Sequence, residues 1–135
     1  MSIRVLITDD EEDFLVSLAR VLSRRGFAVR TAGSGEDTLA ALKQEPCDVV
    51  VLDLRMPGMD GLATLAEIRR READLPVLLL SGMADLPSVT SALTQGVTNF
   101  IAKPCEIEAL ISAIEDAHEQ RLLSAKARRR PPSDG

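Results

Sequence analysis

The chain has 135 residues, 45% of them hydrophobic, and a formal net charge of −5. That is one domain with enough apolar material for a packed core, which excludes an intrinsically disordered protein. The acidic balance argues against nonspecific nucleic-acid binding by the body of the domain, and no apolar stretch approaches the roughly 20 residues that span a bilayer.

Phe14, Phe27 and Phe100 are the only aromatic residues, so the core must be built from Val, Leu, Ile and Ala. Cys47 and Cys105 are the only cysteines and stand far apart, and no signal peptide is expected ahead of them. They read as free thiols in a reducing compartment, and the expected location is cytoplasmic.

Ile3-Arg4-Val5-Leu6-Ile7 opens as a strand and runs into the acidic cluster Thr8-Asp9-Asp10-Glu11-Glu12-Asp13. Phe14, Leu15, Leu18, Val21 and Leu22 follow at helical spacing, with Asp10 as the expected N-cap and Arg24-Arg25-Gly26 as the stop. Phe27 to Ala32 is a second strand. Ser34-Gly35-Glu36-Asp37 resembles a capping box for a short helix carrying Leu39 and Leu42, which Pro46 breaks.

Val49-Val50-Val51-Leu52 is an unbroken apolar run with no polar alternation, the pattern of a central strand buried on both faces, and it ends in Asp53. The residues that follow, Met56-Pro57-Gly58-Met59-Asp60-Gly61, are turn chemistry. Asp60 suits the N-cap of a helix with Leu62, Leu65 and Ile68 inward. Pro76 to Leu80 is a second continuous apolar strand and delivers Ser81. A helix over 85–95 has Pro87 in its first turn and Gly96 as its stop, but Ser88, Thr90, Ser91 and Thr94 make it weak by propensity. Asn99 to Ala102 is a short last strand ending at Lys103-Pro104. The final helix presents Ile107, Leu110, Ile111 and Ile114, and the pattern degrades after Gln120. Residues 1–121 are thus expected to form the domain and 122–135 a basic, proline-rich tail or linker that is disordered. The run Arg128-Arg129-Arg130 reads as a solvated linker rather than a nucleic-acid contact.

Strands alternating with helices through short connections predict right-handed βαβ crossovers and a three-layer, doubly wound α/β domain with a five-stranded parallel sheet. In such a sheet every strand's carboxyl end lies on one edge, where ligands bind. Asp9 and Asp10, Asp53, Ser81 and Lys103 all stand at strand ends. Carboxylates roughly 5 Å apart repel by about 3 kcal/mol per pair at an effective dielectric of 20. A hard divalent cation removes that conflict, and oxygen-only ligands point to Mg²⁺. With Lys103 as a fixed cation and Ser81 as a hydroxyl, the set suits a phosphoryl group. No Cys stands at a strand end in this set, and His118, the only His, lies far along the last helix. The available nucleophile is therefore a carboxylate, which can form an aspartyl phosphate.

These residues strongly resemble the receiver domain of two-component response regulators over roughly residues 3 to 120. The match lies in Asp9-Asp10, Asp53, the Met56 to Gly61 loop, Ser81, and Phe100-Ile101-Ala102-Lys103-Pro104. The resemblance implies the flavodoxin-like strand order 2-1-3-4-5. It implies that Asp53 accepts a phosphoryl group from a sensor histidine kinase or phosphotransfer protein, with Lys103 and the Ser81 hydroxyl gripping the phosphoryl oxygens. It implies Mg²⁺ on Asp10 and Asp53, on Asp9 through water, and on the backbone carbonyl of Arg55. Lys103-Pro104 is a cis peptide in the family. Ser81 and Phe100 occupy the switch positions, and Arg55 and Met83 border the mouth of the site, where the family tunes dephosphorylation. The fourth helix, fifth strand and fifth helix are the implied face for an output domain, a downstream partner or a phosphorylation-dependent homodimer. Neither direct nucleic-acid binding by the domain nor a membrane is implied. Ser81 stands where many members have Thr, Gly82 where many have Ala, and Phe100 lacks the hydroxyl of a Tyr.

An enzyme reading competes with this one. Phosphatases of the haloacid-dehalogenase type also form an aspartyl phosphate, but they need a second Asp two residues past the nucleophile. That place is Arg55 here, so self-phosphorylation and self-dephosphorylation are expected, and turnover as a phosphatase is not. A third reading is the receiver piece of a longer regulator or hybrid kinase, since nothing after Gln120 could form an output domain.

Overall fold

The computed structural model describes residues 2–54, 60–82, 86–103 and 105–129. Five strands alternate with five helices: β1 (Arg4–Thr8), α1 (Glu12–Arg24), β2 (Ala28–Ala32), α2 (Gly35–Gln44), β3 (Val49–Leu52), α3 (Gly61–Arg71), β4 (Val77–Ser81), α4 (Leu86–Thr94), β5 (Asn99–Ala102) and α5 (Ile107–Arg129). The strands form one parallel sheet in the order β2-β1-β3-β4-β5. The predicted doubly wound fold and its strand order are both present.

The two-residue period of the strands sorts the core into two layers. Val5, Ile7, Val49, Val51, Leu78 and Leu80 face one side, where they pack with Leu15 and Leu22 of α1 and Leu110, Ile111 and Ile114 of α5. Leu6, Val50, Leu52, Val77 and Leu79 face the other, against Leu39 of α2, Leu65 and Ile68 of α3 and Ala92 of α4. β3 and β4 are buried along their whole length, as their uninterrupted apolar runs require.

The helix caps follow the sequence with one exception. Ser34 Oγ accepts from the Asp37 N–H at 3.1 Å and Asp60 Oδ1 from the Ala63 N–H at 2.8 Å, as read from their positions. The cap of α1 is Glu11, which makes no side-chain cap bond, so the expectation for Asp10 is corrected. The Asp9 carboxylate takes the Glu11 N–H instead, at 3.0 Å, and starts the turn one residue later.

The last helix also departs from expectation. The predicted disordered tail from residue 122 is corrected over 122–129, because α5 continues to Arg129. Leu122, Leu123, Ala125, Lys126 and Ala127 are strong helix formers, so the helix propagates after its apolar stripe has ended. Leu122 and Leu123 are accordingly exposed. Arg121 still touches the body, donating to the Cys47 carbonyl at 3.4 Å.

Candidate phosphoryl-transfer site

Strand register assembles the site. Thr8 of β1 pairs with Leu52 of β3, so the next residue on each strand, Asp9 and Asp53, emerges side by side. Both strands put these residues on the α1/α5 side, in phase with Ile7 and Val51. Asp9 is 1% exposed and Asp53 6%, which is rare for carboxylates and demands compensating partners. The backbone holds both in place, with the Asp9 N–H donating to the Ala32 carbonyl at 3.2 Å and the Asp53 N–H to the Thr8 carbonyl at 3.0 Å.

The compensating charge comes from β5. Ser81 pairs with Ala102, and the Lys103 N–H donates to the Ser81 carbonyl at 2.9 Å. The Lys103 ammonium then donates to Asp9 Oδ2 at 2.6 Å and lies 3.6 Å from Asp53 Oδ2. Burial alone would lower the Lys103 pKa. The hydrogen bond to Asp9 and the charges of Asp53, Asp9 and Glu11 outweigh it, and the pKa lies above the ordinary lysine value. A charged ammonium between two buried carboxylates is the stable arrangement.

Asp10 completes the acidic group. One oxygen from each of Asp9, Asp10 and Asp53 lies within 4.8 Å of the others, with Asp10 on the exposed side. Three carboxylates with a single lysine retain excess negative charge, and a donor set made only of oxygen fits a hard divalent cation.

Ser81 stands on the other face of the sheet, in phase with Val77 and Leu79, and is fully buried. Its hydroxyl accepts from the Leu54 N–H at 3.2 Å, tying the end of β4 to the residue after Asp53. Phe100 is half-buried and packs on the α2–α4 layer. The Gly61 N–H donates to the Leu54 carbonyl at 3.1 Å. A Cβ on Gly61 would lie 2.5 Å from the Leu54 Cα and 2.7 Å from the Asp53 carbonyl oxygen, so only glycine lets α3 start this close to the acidic residue.

The structure thus brings together Asp9, Asp10, Asp53 and Lys103, and sets Ser81 beside them through Leu54. Arg55, residues 56–59, Met83 and Pro104, on which the remaining expectations fall, lie outside the described residues. Phe14 is an addition. Counted only as part of the apolar stripe of α1, it has its ring beneath the Lys103 ammonium, 4.6 Å from nitrogen to ring centroid. Nothing local in the sequence links the two, because the contact is made by tertiary packing.

A family model described as the response regulator receiver domain matches residues 5–115. The chain belongs to the response regulator receiver family. It is 40% identical over 116 residues to the transcriptional regulatory protein GlrR of Escherichia coli, across 86% of this chain and 26% of that protein. It is 40% identical over 134 residues to the C4-dicarboxylate transport transcriptional regulatory protein DctR of Rhodobacter capsulatus, across 95% of this chain and 68% of that protein. The solved receiver domain of NtrX from Brucella abortus superposes with a TM-score of 0.81 at 37% identity, covering 85% of this chain and 98% of that one. The receiver therefore spans about a quarter of the length of GlrR and most of the shorter DctR. Among its described residues, no helix is long and apolar enough to cross a membrane.

Proposed function

We propose that Asp53 is the phosphoryl acceptor of this receiver domain and that Asp9, Asp10 and Lys103 make the transfer possible. The observation that carries this reading is a buried carboxylate at the carboxyl end of β3 with two further carboxylates within 4.8 Å and an ammonium at 3.6 Å. In the transfer the N–P bond of a phosphohistidine on a sensor kinase or phosphotransfer protein breaks. An O–P bond forms on the Asp53 carboxylate, and the histidine nitrogen leaves with the electron pair. Asp53 must attack as the anion, and Lys103 keeps it charged. Lys103 also faces the incoming phosphoryl oxygens and neutralises their charge without moving far.

Asp9, Asp10 and Asp53 would hold Mg²⁺, with the Arg55 carbonyl as a further ligand by family resemblance. When bound, the ion supplies charge neutralisation for the phosphoryl oxygens. Ser81 and Phe100 form the switch: the Ser81 hydroxyl turns from Leu54 toward the phosphoryl group, and Phe100 follows into the space released. The result passes to a partner or output domain, or to a second copy, through α4, β5 and α5. On this reading the domain is a cytoplasmic switch over residues 1–121 that phosphorylates and dephosphorylates itself, with the rest of α5 as a linker. It does not turn over a substrate.

Incubation with acetyl phosphate and Mg²⁺ tests the assignment. The native chain should gain one acid-stable, alkali-labile phosphoryl group, and Asp53→Ala none. Repeated turnover of p-nitrophenyl phosphate would instead favour a phosphatase.

A further inference from the structure

The reaction read above needs the Lys103 ammonium to be in place before a phosphoryl group arrives, and lysine is poorly suited to that. Its four-carbon stem is flexible, and its charge is a point without directional preference. Here the stem also runs beside an open groove of about 550 Å³ between α1 and the start of α5, lined by Glu11, Phe14, Leu18, Lys103, Cys105 and Leu110. Glu11 on that wall offers the ammonium a competing carboxylate close to solvent.

What opposes that exit is Phe14. The Lys103 nitrogen lies 4.6 Å from its ring centroid while donating to Asp9 at 2.6 Å. That is well inside the range over which a ring quadrupole attracts a cation. Among three phenylalanines, Phe27 lies in the α1/α5 core and Phe100 packs on the opposite layer, so the one ring at the site is under the one lysine there. The choice of an aromatic has a physical reason. A third carboxylate could also hold the ammonium, but it would repel the incoming phosphoryl dianion. A ring face holds the cation with no net charge, and it consumes none of the N–H donors that the phosphoryl oxygens need.

We infer that Phe14 is a positioning residue for phosphoryl transfer, its ring face and the Asp9 carboxylate together holding the Lys103 ammonium beside Asp53. The inference rests on Asp53 being the acceptor, and the test separates the two. Phosphorylation by acetyl phosphate, a donor too small to require docking on α1, is followed in the 135-residue chain with Phe14 replaced by phenylalanines bearing one, two and three ring fluorines. Fluorination drains the quadrupole while nearly preserving the shape of the ring. The rate should fall stepwise along the series, reaching roughly 2- to 5-fold at the end, the range expected for a partly exposed pair. The melting temperature should stay constant. Phe14→Leu, which keeps apolar volume without a ring face, should slow the reaction to the same extent. A flat series, or a fall that merely tracks melting temperature, would overturn the positioning role while leaving Asp53 intact. Equal labelling of Asp53→Asn and native chains in the same assay would overturn the acceptor reading and this inference with it.

Discussion

Ser81 and Phe100 share one face of the sheet and stand two pairing steps apart on adjacent strands, since Ser81 pairs with Ala102 and Phe100 with Leu79. Any displacement at Ser81 is therefore felt first along that face of β4 and β5. The adjoining helix α4 is built from Ser88, Thr90, Ser91 and Thr94 among its nine residues, so it resists displacement weakly. Hydrogen exchange with and without beryllofluoride and Mg²⁺ should change most between Ser81 and Pro104. A change confined to α1 would contradict this route.

Lys103 has two effects that separate on removal. On the proposed reading it neutralises charge for the incoming phosphoryl group, and it also hydrogen-bonds Asp9 and lies 3.6 Å from Asp53, both of which Mg²⁺ would use. Lys103→Ala should slow labelling on the order of 100-fold, the scale of losing one preorganised transition-state contact. It should at the same time tighten Mg²⁺ binding, because a competing positive charge is gone. Calorimetric titration with Mg²⁺ checks the second effect, and weaker binding in the variant would show that Lys103 does not compete with the ion.

Much of this was legible in the residues themselves. β3 is apolar at every position and β4 at all but its last, Ser81, so their place at the centre of a parallel sheet follows from burial on both faces, and the polar residues Asp53 and Ser81 had to meet at one edge. The Ser34 and Asp60 caps were legible because capping depends on local spacing. What escaped depends on distant contacts or on propensity without pattern. Phe14 looked like any residue of an apolar stripe until β5 brought Lys103 over it. Asp9, by taking the Glu11 N–H, displaced the expected cap from Asp10. The end of α5 has helix formers but, among its described residues, none that is buried, so a reading by periodicity stopped too early.

The lifetime of the phosphoryl group should be long. Arg55 and Met83, two positions past Asp53 and Ser81, supply neither a carboxylate nor an amide to orient attacking water. Met83 is apolar, and Arg55 can pair with a phosphoryl oxygen. Asparagine at either position should speed loss of label, followed by release of phosphate after removal of the donor. Rapid loss in the native chain that neither variant accelerates would show that these residues do not guard the site.

At the amino ends of β1 and β3, Asp48 accepts from the Arg4 backbone N–H at 2.8 Å and from its guanidinium at 3.2 and 3.1 Å. Burial alone would raise the Asp48 pKa, but these bonds and the charges of Arg4 and His118 outweigh it and hold the pKa below the usual carboxylate value. A depressed folded-state pKa contributes stability that is present above the unfolded value, about 3.9, and is lost as pH falls through the folded one. Asp48→Asn should therefore be less stable than the native chain in denaturant titrations at neutral pH, and the gap should close below about pH 4. A gap independent of pH would show that the carboxylate's charge is not what matters.

Reduction by tritiated borohydride tests the acceptor most directly, because it converts an aspartyl phosphate into homoserine at the residue that carried it. After phosphorylation with acetyl phosphate and Mg²⁺, peptide mapping should find labelled homoserine at position 53 and nowhere else. Label at Asp9 or Asp10, or phosphate bound to the chain with no homoserine formed, would contradict the account.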